Sequence, residues 1–278
     1  MRLQLRMDRL LIGLHGLGLL RGWPFGDADR ADAEIDEIRL LSARADRETL
    51  EVEAHDLGAA YAAWSETYDT ISNGLIATEE PVVRSFLAGM EPGLALDVAA
   101  GTGRFTSILA DLGHDVIAAD VSLEMLERGR AKQIRAAFLR ADMRAIPLRT
   151  ESVDLVACGL ALTHVPDLGS PLAEIARVVR PGGRVVLSDA HPFAVATGAQ
   201  AMFKASDGSS GVARNHVHWP SAYLEAFLSS GLTVERVAEP EVGEELIHEL
   251  GSEEVRDAAR IGLLGLPIAL IWLLRKTS

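Results

Sequence analysis

Three aspartates each close a short apolar run: Asp97 in Leu94-Ala-Leu-Asp97-Val, Asp120 in Val116-Ile-Ala-Ala-Asp120, and Asp142 in Arg140-Ala-Asp142-Met143. Between the first two lies a turn of small residues, Ala99-Ala-Gly101-Thr-Gly103, followed by Arg104 and Phe105. Small residues let a backbone come close to a ligand, and a helix that begins just after such a turn presents free N–H donors. The spacing fails the G-x-G-x-x-G fingerprint that cradles a pyrophosphate. A carboxylate at Asp97 would repel a pyrophosphate, but it favours a cation such as the ammonium group of an amino acid. Asp120, about twenty residues beyond the turn, suits a ribose diol. Asp142 could accept from an adenine amino group. Singly, each aspartate is an ordinary cap or turn residue. At three successive strand ends, they suggest one ligand lying across the edge of a sheet.

Histidines follow two later apolar runs. His164 comes after Val153–Leu162 and His191 after Arg184–Asp189. Either could take a proton from a reacting oxygen, since imidazole titrates near neutral pH; His164 is the first choice and His191 the second. A structural hydrogen-bonding role suits each of them at least as well. His216 and His218 share one side if their segment is extended. Two histidines without a nearby third ligand do not make a zinc site, and no metal is expected.

The elements that must position these residues alternate. Thr78–Met90 reads as a helix ended by Pro92 and Gly93, and Leu94–Ala99 as a strand. Phe105, Ile108, Leu109 and Leu112 give the stripe of an amphipathic helix, stopped by Gly113. Strands at Val116–Val121, Ala136–Met143 and Val153–Leu162 follow, with a helix over Ser122–Gln133 between the first two. A helix around Leu168–Val179 leads through Pro181-Gly182-Gly183 into the strand Arg184–Asp189. After a helix at Ser221–Ser230 come strands at Leu232–Ala238 and Ile268–Arg275. Such alternation implies a doubly wound, mostly parallel sheet of seven strands, a Rossmann-like α/β fold that binds ligands at the carboxyl ends of its strands.

Composition narrows the function. The 278 residues are 48% hydrophobic and carry a net charge of −13, so they offer no overall cationic footprint for nucleic acid. The single cysteine, Cys158, allows no intrachain disulfide and fits a reducing cytoplasm. Near the start, Arg2, Arg6 and Arg9 precede the apolar run Leu10–Leu20, which is broken by His15 and three glycines. It is too short to span a bilayer and lacks a cleavage site, so it reads as a packing or oligomerisation helix. Residues 1–60 are expected to form a helical extension. Leu57, Tyr61, Trp64 and Tyr68 then share one helix face, with core packing the plainer reading and a ligand-facing aromatic wall the sharper one.

From about Tyr61 to Asp189 the chain resembles the class I S-adenosylmethionine-dependent methyltransferases, most of all the small-molecule branch with the ubiquinone and menaquinone enzymes. The family's D-x-G-x-G-x-G turn stands here as Asp97-Val-Ala99-Ala-Gly101-Thr-Gly103, with alanine in the first glycine position. The later stretches Leu160–Asp167 and Val179-Arg-Pro181-Gly182-Gly183 also match. The resemblance implies S-adenosylmethionine as cofactor, its methionine part held by Asp97 and the Ala99–Gly103 backbone. It further implies that Asp120 holds the ribose, Val121 and Met125 flank the adenine, and Asp142 and Met143 read its edge. Gly159 would offer backbone to the amino group, and Tyr68, in a tyrosine–aspartate pair preceding the fold, would touch the cofactor. The domain would then be 61–278, with 191–230 as a substrate-covering insertion. No N/D-P-P-Y/F signature follows the fourth strand, where Cys158-Gly-Leu-Ala-Leu-Thr-His164 stands, so nucleic-acid base methylation is disfavoured. What remains is O-, C- or N-methylation of a small molecule. Trp219, Tyr223, Phe203 and Phe227 in the insertion hint that it is hydrophobic, although packing of a helix on the sheet explains them equally well. Two other readings stay open: a cofactor-binding protein of this fold without methyl transfer, in cyclisation or assembly, and an NAD-dependent oxidoreductase, which the glycine spacing and Asp97 weaken.

Overall fold

The computed structural model describes residues 2–44, 49–70 and 73–277. They form two compact units, one from Met1–Glu53 with Glu241–Pro267, the other from Ala54–Pro240 with Ile268–Ser278. A single boundary near residue 60 is expected from the pattern; in the structure the chain also leaves the second unit at 240 and re-enters it at 268. In the first unit, β1 (Arg2–Arg6) runs into α1 (Met7–Gly22), the helix expected from the N-terminal apolar run. Asp27 caps α2 (Ala28–Ala43) by accepting from Asp29 N, and β2 (Thr49–Ala54) pairs antiparallel with β1.

The second unit opens with α3 (Leu57–Trp64) and α4 (Gly74–Leu87). The expected common face from Leu57 to Tyr68 is only part helix, because α3 ends at Trp64 and turns carry the chain to residue 70. The alternating pattern then holds. It comprises β3 (Leu94–Val98), α5 (Arg104–Asp111), β4 (Asp115–Asp120), α6 (Leu123–Ala131), β5 (Ala136–Arg140) and β6 (Val153–Gly159). After α7 (Gly169–Val178) comes β7 (Val179–Ala190), longer than expected. It absorbs Pro181-Gly182-Gly183, and its register against β6 shifts between Val153 and Leu155. Next are α8 (Pro192–Ala196), the hairpin β8 (Ala201–Lys204) and β9 (Ser210–Ala213), α9 (Pro220–Ser229) and β10 (Leu232–Ala238). The chain passes through α10 (Glu244–Glu249) and α11 (Glu253–Leu263) of the first unit and returns as β11 (Ala269–Lys276).

The seven strands lie in the order β10-β11-β7-β6-β3-β4-β5. All neighbours are parallel except β11, which is antiparallel to both β7 and β10. From β3 the chain works outward through β4 and β5, then jumps back to β6 on the other side of β3. The crevice beyond the carboxyl ends of β3 and β6 is therefore a topological switch point, where this architecture binds ligands.

Alternation decides what each strand end presents. Ala95 packs with Phe86 of α4 and Ile108 of α5, so Asp97, two residues on, faces that same layer. Leu96 and Val98 face the opposite layer, with Ile175 of α7 and Phe227 of α9. On β7, Val186 and Ser188 point to the α4–α5 side, while Leu187 and Asp189 point to the α7–α9 side.

In the first unit α1 lies against α11 at close range. A side chain on Gly262 would meet the Leu14 carbonyl oxygen at 2.6 Å, and one on Gly18 would meet Ile261 Cγ2 at 2.3 Å. Arg21 donates to the carbonyls of Gly262 (2.9 Å) and Leu264 (2.7 Å), satisfying the orphan acceptors at the end of α11. Among the described residues, no helix is long and apolar enough to cross a membrane.

Candidate functional site

The turn after β3 is built from left-handed backbone. Ala99, Gly101 and Gly103 have φ of 54°, 55° and 88°. Glycine takes this conformation freely; at Ala99 it costs roughly 1–2 kcal/mol. A Cβ on Gly101 would find nothing within 4 Å, so the space before the turn is open to a ligand. Gly103 serves packing instead, since a Cβ there would meet Ile134 Cδ1 at 2.8 Å.

That open space belongs to a cavity of about 490 Å³ lined by the ends of β3, β4 and β6. Of the residues singled out from sequence, Tyr68, Asp97, Ala99, Gly101, Asp120, Val121, Asp142, Met143, Gly159 and His164 line it. Gly103, Met125 and His191 are not among its walls. Met125 is fully buried in α6, where its N–H donates to Ser122 Oγ at the helix N-cap.

The three aspartates differ in state. Asp97 is buried and accepts from Thr106 Oγ1 at 2.6 Å. Burial pushes its carboxyl up to about 7, against the opposing pull of the Thr106 hydroxyl and the Arg104 charge. Asp120 accepts from Gly101 N and Ser122 N, both at 2.8 Å, so its carboxylate braces the turn from the neighbouring strand. Burial raises this carboxyl as well, and those backbone donors oppose the rise. Asp142 is forked by Arg144 (Nη2 to Oδ2 2.6 Å, Nε to Oδ1 3.0 Å), which holds it below the usual carboxylate range.

The two histidines part company. His164 stands edge-on to Tyr61 at 5.6 Å between ring centroids. Its Nδ1 lies 3.1 Å from the Arg214 carbonyl, so Nδ1 carries the proton and Nε2 keeps the free lone pair. Burial lowers its pKa. His191 instead caps α8, its Nδ1 accepting from Phe193 N at 3.2 Å while Nε2 donates to Glu239 Oε1 at 3.1 Å. Beyond His164, His216 N donates to Thr163 O (2.6 Å) and His218 Nε2 to Val165 O (2.7 Å). The segment 214–218 is thus tied along the turn that follows β6.

Several groups at the site escaped the sequence reading. Glu79, fully buried on α4, takes a hydrogen bond from Ser188 and an ion pair from Arg104 Nη2 at 2.9 Å. Asp189 is buried at the end of β7, accepts from Tyr223 Oη at 2.9 Å, and burial lifts it to about 7. Asp69 binds Thr102 Oγ1 and Lys132 Nζ, both at 2.8 Å, beside Tyr68. Of these, only Arg104, beside the turn, and Asp69, in the tyrosine–aspartate pair, sit inside a recognisable motif. The other contacts join segments far apart in sequence, for which no local spacing exists.

Residues 96–187, the span that holds the turn and all three aspartates, match the family model described as "Methyltransferase domain". Over this span the chain is similar to methyltransferase domains. Among curated relatives, this domain is similar to malonyl-[acyl-carrier protein] O-methyltransferase of Yersinia pestis. The match is 36% identical over 140 residues, covering 50% of this chain and 52% of the relative. It is also 35% identical over 127 residues to demethylmenaquinone methyltransferase of Renibacterium salmoninarum, covering 45% of this chain and 54% of the relative. The chain therefore spans about half the length of the curated relatives it matches. A solved S-adenosylmethionine-dependent methyltransferase from Mesorhizobium loti shares the fold of the methyltransferase domain. Its TM-score is 0.57 at 23% identity, over 71% of this chain and 97% of that one.

Proposed function

We propose that the chain transfers a methyl group from S-adenosylmethionine to an O, C or N atom of a small, hydrophobic metabolite such as a quinone-like compound or secondary metabolite. One observation carries the reading: Asp97 and Asp120 flank a single open turn on one cavity, which supports one of them for the ammonium end of that cofactor and the other for its ribose. The residues fit the group. Gly101 leaves room for it, Asp97 is a buried carboxyl that an ammonium would complement, and the carboxylate of Asp120 retains acceptor capacity beyond its backbone donors. Val121 and Met143 would flank the adenine, Asp142 would read its edge, and Tyr68 and the Gly159 backbone would complete the enclosure.

When bound, the cofactor supplies an activated methyl on a sulfonium. The protein's own part is to hold the acceptor in line and exclude water, which supplies most of such an acceleration. Leu57 and Tyr61 on the cavity wall support an apolar acceptor. His164, neutral near pH 7 with Nε2 free, would take the proton of an acceptor hydroxyl. The segment 191–230, tied to the His164 turn, would cover the acceptor, and the N-terminal helices would serve as an extension or self-association surface. The name of one curated relative, demethylmenaquinone methyltransferase, supports a quinone-like acceptor.

Titration of the protein with S-adenosylmethionine and S-adenosylhomocysteine by calorimetry, with NAD as control, tests the reading. Micromolar binding that is lost in Asp120→Ala is expected. A folded protein that binds neither sulfur ligand ends it.

A further inference from the structure

The carbonyl that faces His164 belongs to a peptide group held at both ends. His164 Nδ1 lies 3.1 Å from the Arg214 oxygen, and the N–H of that same peptide, carried by Asn215, donates to Gln200 Oε1 at 2.8 Å. A trans peptide is planar, with its C=O and N–H pointing opposite ways, so fixing one fixes the other. The β8–β9 hairpin puts Gln200 in reach. Ala201 is paired with Ala213, and Gln200 and Arg214 are the next residues out. The main-chain ladder stops there, and the Gln200 side chain continues it by one rung. Asn215 Nδ2 adds a longer bond to the Ala199 carbonyl, at 3.4 Å.

The other flank of the segment is fixed as well. His216 N donates to Thr163 O and His218 Nε2 to Val165 O, so the residues on both sides of His164 are tied to the strip that carries the carbonyl. His218 is itself buried, edge-on to Tyr223 at 6.1 Å between ring centroids, and Tyr223 is bound to Asp189 in the core. His164 lines the cavity; Gln200 and Arg214 are not among its walls. A neutral imidazole has one N–H and one lone pair, and its partners decide which nitrogen carries which. A carbonyl only accepts, so at Nδ1 it demands the proton there and leaves the lone pair on Nε2. Turned over, the same peptide would offer its N–H and reverse the assignment.

We infer that Gln200 is a positioning residue: by holding the Asn215 N–H it aims the Arg214 carbonyl at His164 and so keeps the lone pair of that ring on Nε2. The inference rests on the reading of His164 as the proton acceptor and adds the device that fixes its tautomer. Gln200 touches neither acceptor nor cofactor and acts through one peptide group.

The test is nitrogen-15 NMR of the full chain labelled at its 8 histidines, with His164 assigned by the signals lost in His164→Gln. At about pH 8, where an imidazole is neutral, the wild type should show His164 as the Nδ1–H tautomer. Gln200→Met, which removes the acceptor from an exposed side chain, should move those signals toward the Nε2–H tautomer. Gln200→Glu, which keeps an acceptor, should leave them in place. S-adenosylmethionine should bind wild type and Gln200→Met equally by calorimetry, while kcat on an oxygen acceptor falls about 2- to 10-fold in Gln200→Met, the range of one hydrogen bond. A wild-type His164 that carries its proton on Nε2 overturns the inference while the cofactor reading stands. Signals that Gln200→Met leaves unmoved overturn it too. Signals that move as expected, in a protein whose turnover survives His164→Ala, support the positioning and overturn the proton-acceptor reading alone.

Discussion

The ends of β6 and β7 lie side by side, and each is followed by a histidine, yet only one of those histidines faces the cavity. After β6, Leu160 adopts a left-handed conformation (φ 54°), the chain makes one tight 3₁₀ turn, and His164 is delivered to the cavity wall. After β7, the chain goes straight into α8, and His191 is consumed in capping it. The same contrast holds for the acids. Asp97 on β3 and Asp189 on β7 are both buried and both raised to about 7, but Asp97 lines the cavity while Asp189 is answered by Tyr223 from α9. Place in the topology therefore nominates residues in pairs, and the backbone turn that follows selects between them.

Substitutions can break this contrast or sharpen it. The largest effect is expected at the histidines. With an oxygen acceptor, found by screening with labelled S-adenosylmethionine, His164→Ala should lower kcat about 10²- to 10⁴-fold. His191→Ala should leave kcat within about threefold and lower thermal stability by about 1 kcal/mol, the worth of a helix cap. The acid limb of the kcat/KM profile should lie below pH 6.5, because burial lowers the His164 pKa; an acid limb above that value would point to another base.

The acids come next. An ammonium group beside Asp97 should drive off the proton that burial leaves there, so S-adenosylmethionine binding near pH 7 should release about half a proton, and more at lower pH. Calorimetry in buffers of different ionisation heat measures it; Asp97→Asn should abolish the release, and Asp189→Asn should not. Stability gives the converse. A carboxyl that stays protonated in the fold up to about pH 7, but ionises above about pH 4 when unfolded, makes the folded state bind more protons in between. Stability should fall as pH rises across that window, and urea midpoints should show Asp189→Asn flattening the fall. The smallest effect is at the turn. Ala99→Gly relieves a left-handed alanine at the cost of added chain entropy, and should raise stability by about 0.5–1 kcal/mol with cofactor affinity within about threefold. A loss of stability there would mean that the alanine methyl packs usefully.

The strands and the three aspartates were legible in the sequence because their signals are local. Each strand has an apolar run, and each acid stands at the end of one. What positions those acids was not legible. Glu79 lies within a helix whose other charges, Glu80 and Arg84, form an exposed surface pair, and nothing in its spacing marks it as the residue turned inward. Gly103 and Met125 are expected at the cofactor from the family resemblance alone; in the fold neither lines the cavity, Gly103 lying close to Ile134 and Met125 being buried in α6. Residues 241–267 were also hidden: α11 is amphipathic, but its buried positions Ala258, Ala259 and Gly262 are small residues, which do not stand out as a run of large apolar ones.

That excursion has a consequence for how the molecule is made. β11 occupies an interior slot of the sheet, between β7 and β10, but is reached only after the chain has passed through α10 and α11. A nascent chain that has completed β3 to β7 already holds every strand end that borders the cavity, yet it exposes β7 as a long, apolar, unpaired edge. Such an edge is a template for wrong pairing. Closing it waits on a contact of high sequence separation, which is slow. Folding yield should therefore be set by the arrival of β11, and a ligand bound at the cavity would be held by a sheet not yet closed.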